Sequence, residues 1–108
     1  MSLDATRRWL RGAVVAVATP MNPDTSLDLA GLAANTEAMI ERGIRTGDGV
    51  LLAVAAAGEF PTLSIEERRA AIRSSVKTAA GRVPVMTSIQ HTDVREILDL
   101  LRFCADEG

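Results

Sequence analysis

The stretch Val50-Leu51-Leu52-Ala53-Val54-Ala55-Ala56-Ala57-Gly58-Glu59, running on into Leu63-Ser64-Ile65-Glu66-Glu67-Arg68, decides how this chain is read. Eight uninterrupted small or branched apolar residues, Val50 to Ala57, cannot alternate between core and solvent. The segment is therefore expected as a strand covered on both faces, as strands are in parallel sheets under crossover helices. Gly58-Glu59 closes the run, and a turn at the C-terminal tip of such a strand is where α/β proteins place their ligands. Ser64-Ile65-Glu66-Glu67 then has the form of a capping box. The Ser64 hydroxyl accepts from the backbone N–H of Glu67, and the Glu67 carboxylate reaches back to that of Ser64. A helix should follow, with Ile65, Ile72, Val76 and Ala79 inward and Gly81 as its stop.

The same grammar repeats on both sides of this unit. Ala13 to Ala18 is an apolar, partly β-branched run ended by Thr19-Pro20, and it reads as a first strand. After a Pro, Asn and Asp loop from Met21 to Ser26, Ser26 or Asp28 caps a helix running to about Arg42, with Leu29, Leu32, Ala33, Thr36, Met39 and Ile40 at helical spacing. Val83 to Thr87 is a third strand with proline near its start, where a strand tolerates one. Asp93-Val94-Arg95-Glu96 offers another capping box. It opens a helix whose Val94, Ile97, Leu98, Leu101, Cys104 and Ala105 form the widest apolar stripe of the three. Strands beginning near residues 13, 50 and 83 lie about 33 to 37 residues apart, the spacing of parallel βα units with right-handed crossovers. Eight such units make a (β/α)8 barrel of about 250 residues, and the 108 residues here hold three. The expected architecture is α/β: one three-unit portion of a barrel over residues 1–108, with residues 1–11 as a lead-in segment.

Composition narrows the function. Twelve basic residues face 14 acidic ones with no basic stripe, so nucleic acid is not an expected partner. No apolar run approaches the roughly 20 residues of a membrane span. One cysteine and one histidine rule out both an intramolecular disulfide and a conventional zinc site, and a reducing cytoplasm is the default compartment. Thr6-Arg7-Arg8-Trp9-Leu10-Arg11 before the apolar run at Ala13 imitates a secretory leader, but the run is short and its β-branched content suits a strand better.

Few residues are equipped for chemistry. Lys77 is the only lysine and there is no tyrosine. Lys77 follows an inward-facing position late in its helix and reads as a solvated surface residue, unlike the desolvated lysines that form Schiff bases. His91 lies in the loop after the third strand without a recognisable nucleophile beside it, and reads as a polar loop histidine. Glu59 is read in two ways: a base or ligand-binding carboxylate past the strand tip, or a turn residue whose carboxylate accepts backbone N–H bonds. Cys104 sits on an apolar helix stripe as a small core residue.

Taken in order, Gly12, Thr19-Pro20-Met21, Leu27-Asp28, Gly43, Gly58-Glu59, Leu63-Ser64, Glu67-Arg68 and Gly81-Arg82-Val83-Pro84-Val85 resemble the start of the dihydrodipicolinate synthase and N-acetylneuraminate lyase family. The resemblance runs from about Gly12 to Gly108. It implies a (β/α)8 barrel, usually an oligomer of identical chains, in which a lysine forms a Schiff base with pyruvate or another 2-keto acid and no cofactor is needed. The family's Gly-Thr-Thr-Gly-Glu falls on Ala55-Ala56-Ala57-Gly58-Glu59. The resemblance thus implies a carboxylate pocket built from the backbone of Ala56, Ala57 and Gly58, with Glu59 structural beside it. The two hydroxyls that would relay a proton and bind the carboxylate are missing. The family's tyrosine and lysine come from the fourth and sixth strands, so none of these 108 residues is expected to be catalytic, and none to bind metal. The competing reading is a non-catalytic module that associates through open sheet edges.

Overall fold

The structure is a computed structural model that describes residues 1–108. Its elements are α1 (Leu3–Trp9), β1 (Ala13–Ala16), α2 (Leu29–Glu41), β2 (Gly49–Ala53), α3 (Ile65–Ala79), β3 (Val85–Thr87) and α4 (Val94–Glu107), with a 3₁₀ turn at Phe60–Thr62. The strands form one parallel sheet in the order β1-β2-β3. Ala16 pairs with Leu52, and Leu52 with Met86, so the three side chains share one face; Val15, Leu51 and Val85 share the other. That second face packs under the helices in a core that includes Val17, Leu32, Ile40, Leu51, Ile72 and Ala79. The expected three βα units are all present.

The lead-in segment is not plain coil. Ser2 caps α1 by accepting from the N–H of Ala5, and Asp4 and Arg7-Arg8 stand at the ends where the helix dipole favours them. The turn from α1 into β1 depends on Gly12. Its φ is +102°, and an added Cβ would lie 2.1 Å from the carbonyl oxygen of Asp48.

Local signals placed the helices closely. Asp28, rather than Ser26, is the cap of α2, accepting from the N–H of Gly31, while the Ser26 hydroxyl is turned to Asp24. The Ser64–Glu67 capping box is formed in both directions, at 3.1 and 3.0 Å. The stop of α3 comes at Ala80 and Gly81, both left-handed. By contrast, the second expected box does not form. The N–H of Asp93 that Glu96 would accept is donated to His91 Nδ1, and the Asp93 carboxylate is taken by the N–H and guanidinium of Arg95.

Two further expectations are corrected. β2 stops at Ala53 instead of running to Ala57, because Val54 turns into the left-handed region at φ +51°, a costly conformation for a β-branched residue, and takes the chain out of the sheet. The stripe assigned to α4 is split. Ile97 and Cys104 are half-buried and Leu100 fully buried, whereas Val94 is 67% and Leu101 52% exposed, with Leu98 and Ala105 also exposed. The sheet is likewise covered unevenly: β2 is almost wholly buried, while Val14 of β1 is 59% exposed and Met86 of β3 is exposed. A central strand gains cover from both neighbours, and the edge strands lack it on one side.

Candidate functional site

The loops leaving the C-terminal ends of the three strands lie on one side of the sheet, the side on which barrels build their sites. The β2 loop is the most constrained of them. After Val54 the chain folds back through N–H bonds from Glu59 to Ala56 (3.0 Å) and from Phe60 to Ala55 (3.3 Å). Gly58 is buried against β1: a Cβ there would lie 3.0 Å from Thr19 Oγ1, 3.0 Å from the nitrogen of Val54 and 3.1 Å from the carbonyl oxygen of Val17. Only a residue without a side chain fits this approach unstrained. Ala56 and Ala57 are exposed, and their N–H groups donate to no carbonyl. The N–H groups of Ala56, Ala57 and Gly58 thus have no main-chain acceptor in the turn at the tip of β2.

Glu59 is exposed and left-handed, at φ +57°. Its carboxylate accepts no hydrogen bond. The loop is held instead by its backbone carbonyl, which accepts from the N–H and hydroxyl of Thr62, both at 2.9 Å. The turn is fixed at this residue, but by its main chain.

The sequence marks Arg68 only as part of the Glu67-Arg68 pair. It is 2% exposed and has no carboxylate partner; Nη1 donates to the carbonyl of Gln90 at 2.8 Å and Nη2 to that of Ser88 at 2.9 Å. The guanidinium also lies 4.9 Å from the centroid of the Phe60 ring. Burial holds its pKa below the ordinary guanidinium value, with nearby Cys104 acting in the opposite sense. Arg68 thus ties the loop after β2 to the loop after β3. Between these loops is an open cavity of about 360 Å³ lined by Phe60, Ser64, Arg68, Gln90, His91 and Thr92, among others. A sequence gives no sign that one arginine among many will be buried, since the carbonyls it serves are about 20 residues away and carry no side-chain signature.

The remaining candidates are placed as follows. His91 is half-buried, and its Nδ1 is occupied by the N–H of Asp93 at 2.9 Å, so it shapes the start of α4. Lys77 is exposed late in α3. Cys104 is half-buried, and burial pushes its thiol pKa up, with Arg68 pulling in the other direction. No three His, Cys, Asp or Glu side chains are grouped to hold a metal ion, and no helix is long and apolar enough to cross a membrane.

Three parallel βα units with a glycine-braced turn at the tip of the middle strand are the repeating architecture of a (β/α)8 barrel. Comparison with known proteins places it further: the Dihydrodipicolinate synthetase family matches residues 9–108, and the chain belongs to that family. It is 34% identical over 103 residues to the 4-hydroxy-tetrahydrodipicolinate synthase of Polynucleobacter asymbioticus, covering 95% of this chain and 32% of that protein. It is 38% identical over 97 residues to the synthase of Leptothrix cholodnii, covering 90% of this chain and 32% of the relative. Among solved structures, a chloride-inhibited dihydrodipicolinate synthase from Acinetobacter baumannii complexed with pyruvate superposes with a TM-score of 0.82 at 31% identity, covering 92% of this chain and 33% of that one. The N-acetylneuraminate lyase of Mycoplasma synoviae shares the fold, with a TM-score of 0.80 at 21% identity over 89% of this chain and 32% of that one. The chain spans about a third of the length of the curated relatives it matches.

Proposed function

We propose that this chain supplies the first three βα units, and the carboxylate-binding turn, of a barrel that acts on pyruvate or another small 2-keto acid through a lysine Schiff base. The observation that carries the reading is the run of unpaired N–H groups at Ala56, Ala57 and Gly58 in the turn at the tip of β2, held close to the first strand by Gly58. In the intact reaction a lysine amine adds to the ketone carbonyl and water leaves. The resulting protonated imine is an electron sink, and the neighbouring carboxylate needs donors to hold it in register. The turn provides these donors from its main chain, so of the possible substitutions at Ala56 or Ala57 only proline removes one.

The absent hydroxyls point to the substrate. Alanines at 56 and 57 cannot relay a proton or bond a carboxylate through a side chain, so the reading favours a diverged aldolase or dehydratase acting on a sugar-acid type 2-keto acid over a dihydrodipicolinate synthase. The family's lysine and tyrosine have no counterpart within these 108 residues, and the chain alone is inactive in this reading. Association of copies and a cytoplasmic setting belong to the same proposal. The second reading, a non-catalytic assembly module, is favoured by the exposed apolar residues Val14, Leu98 and Leu101.

Borohydride reduction in the presence of pyruvate tests the leading reading. The chain by itself should yield no stoichiometric adduct, while titration with pyruvate should shift the amide resonances of Ala56 and Ala57 before those of Lys77 and its neighbours. An adduct located at Lys77 by peptide mass spectrometry would overturn it.

A further inference from the structure

We infer that the N–H of Asp93 has two alternative acceptors, His91 Nδ1 and the Glu96 carboxylate, and that protonation of His91 passes it from the first to the second, making the start of α4 a pH-operated switch on the cavity wall. The inference stands apart from the Schiff-base reading, since every group it uses belongs to this chain. At the N-cap of α4 the Asp93 N–H donates to His91 Nδ1 at 2.9 Å. An imidazole accepts only through an unprotonated ring nitrogen, so this bond selects the neutral tautomer with its proton on Nε2. Once Nδ1 carries a proton it is a donor, and two N–H groups would meet where one bond had been.

The second acceptor already stands at the right distance along the chain. Glu96 is the third residue of α4, the position from which a capping-box carboxylate reaches back to the N–H of the cap, and its half-buried side chain accepts no hydrogen bond. The cap's own carboxylate is not available, because the N–H and guanidinium of Arg95 hold it at 2.9 to 3.1 Å. The box at Ser64 and Glu67, formed in both directions, shows that the motif closes in this chain where no imidazole precedes the cap. Neighbouring charges give the imidazolium a direction to move. Across the cavity it meets Arg68 of α3, which repels it, while the facing Phe60 and Pro61 of the β2 loop are uncharged. On its own segment it meets Arg95, already paired with Asp93, together with the carboxylates of Asp93 and Glu96, which attract it. The Asp93 carboxyl is held below its ordinary value first by Arg95 and to a lesser degree by His91. A protonated His91 is therefore drawn off the wall it shares with Arg68, and the cavity opens on the α4 side.

The test is an NMR titration of the 108-residue chain from about pH 8 to about pH 5, the range in which imidazole side chains change charge. His91 is the only histidine, so the response has one imidazole source. At the upper end the ring nitrogens should show the proton on Nε2. As pH falls, the amide resonance of Asp93 and the carboxyl carbon of Glu96 should both move with the midpoint of the His91 ring, and both should lose that step in His91→Ala. An Asp93 amide that stays constant through the imidazole titration, a proton on Nδ1 at the upper end, or a Glu96 carboxyl that does not follow would each overturn the inference. Thermal unfolding gives a second measurement. Glu96→Ala removes the second acceptor, and should lower the melting midpoint by about 4 °C more at pH 5.5 than at pH 8, relative to the parent at the same pH. An equal loss at both pH values would overturn the switch, because Glu96 would then support α4 whatever the charge on His91.

Discussion

Arg68 Nη1 donates to the carbonyl oxygen of Gln90 at 2.8 Å, joining the first turns of α3 to the loop that starts α4. With the bond to Ser88 and the Phe60 ring beneath, this one buried cation organises the C-terminal face of the sheet. Truncation to alanine removes both charge-assisted bonds and opens a cavity, so Arg68→Ala should cost about 2 to 4 kcal/mol in urea unfolding. An ammonium cannot span two carbonyls and lie flat on a ring, and Arg68→Lys should recover less than half of that loss. Full recovery by lysine would mean that charge alone is what the site requires.

Gly58→Ala places a methyl group about 3 Å from three atoms, two of them backbone. The turn must shift to admit it, at an expected cost of about 1 to 3 kcal/mol. A thermal midpoint unchanged within error would show that the approach to Thr19 is looser than the geometry implies.

At Glu59 the left-handed backbone and the unbonded carboxylate predict that neither of two substitutions is costly. Glu59→Gln should leave stability within about 0.5 kcal/mol of the parent. Glu59→Gly removes the Cβ penalty of the left-handed region, less the entropy it restores to the unfolded chain, and should be neutral to stabilising by up to about 1 kcal/mol. Calorimetry on the two variants decides the matter; a clear loss for glutamine would restore a bonded carboxylate.

Glu37 and Arg82 form a bidentate pair at 2.8 and 2.6 Å between α2 and the segment after α3. The hydrogen bonds from Arg82 hold the Glu37 carboxyl below its ordinary value of 4.5. Because the folded pKa is the lower one, the pair's contribution is fully present above the unfolded value and fades as pH falls through the folded one. Stability measured from pH 6 down to 3 should therefore drop less steeply in Glu37→Gln than in the parent, and the carboxyl carbon of Glu37 should titrate below pH 4.5 by NMR.

The exposed Val14, Leu98 and Leu101 also bear on the isolated chain. Each large apolar side chain left in water forgoes about 1.5 to 3 kcal/mol, and several together rival the stability of a small domain. Self-association or binding of a hydrophobic dye is expected at micromolar concentration. A single monomeric sedimentation boundary with a cooperative thermal transition and no dye binding would count against the open barrel.

By itself the sequence determined the three strands, the helix that follows each of them and their order, but not the helix at Leu3–Trp9. The apolar run from Val50, the box at Ser64 and Glu67, the cap at Asp28 and the stop at Gly81 act over a few residues, so their meaning survives without knowledge of the partners. Even the family was legible, since the ordered set from Gly12 to Val85 spans about three quarters of the region matched. Tertiary structure alone decided the rest. Val54 left the strand early to fold the turn over Thr19, and His91 took the N–H that Glu96 would have accepted. Arg68 found carbonyls two loops away, and half of the α4 stripe was left bare. These outcomes depend on which distant groups meet and which face lacks a neighbour. Local propensity and periodicity say that a face is apolar, but only packing says what covers it.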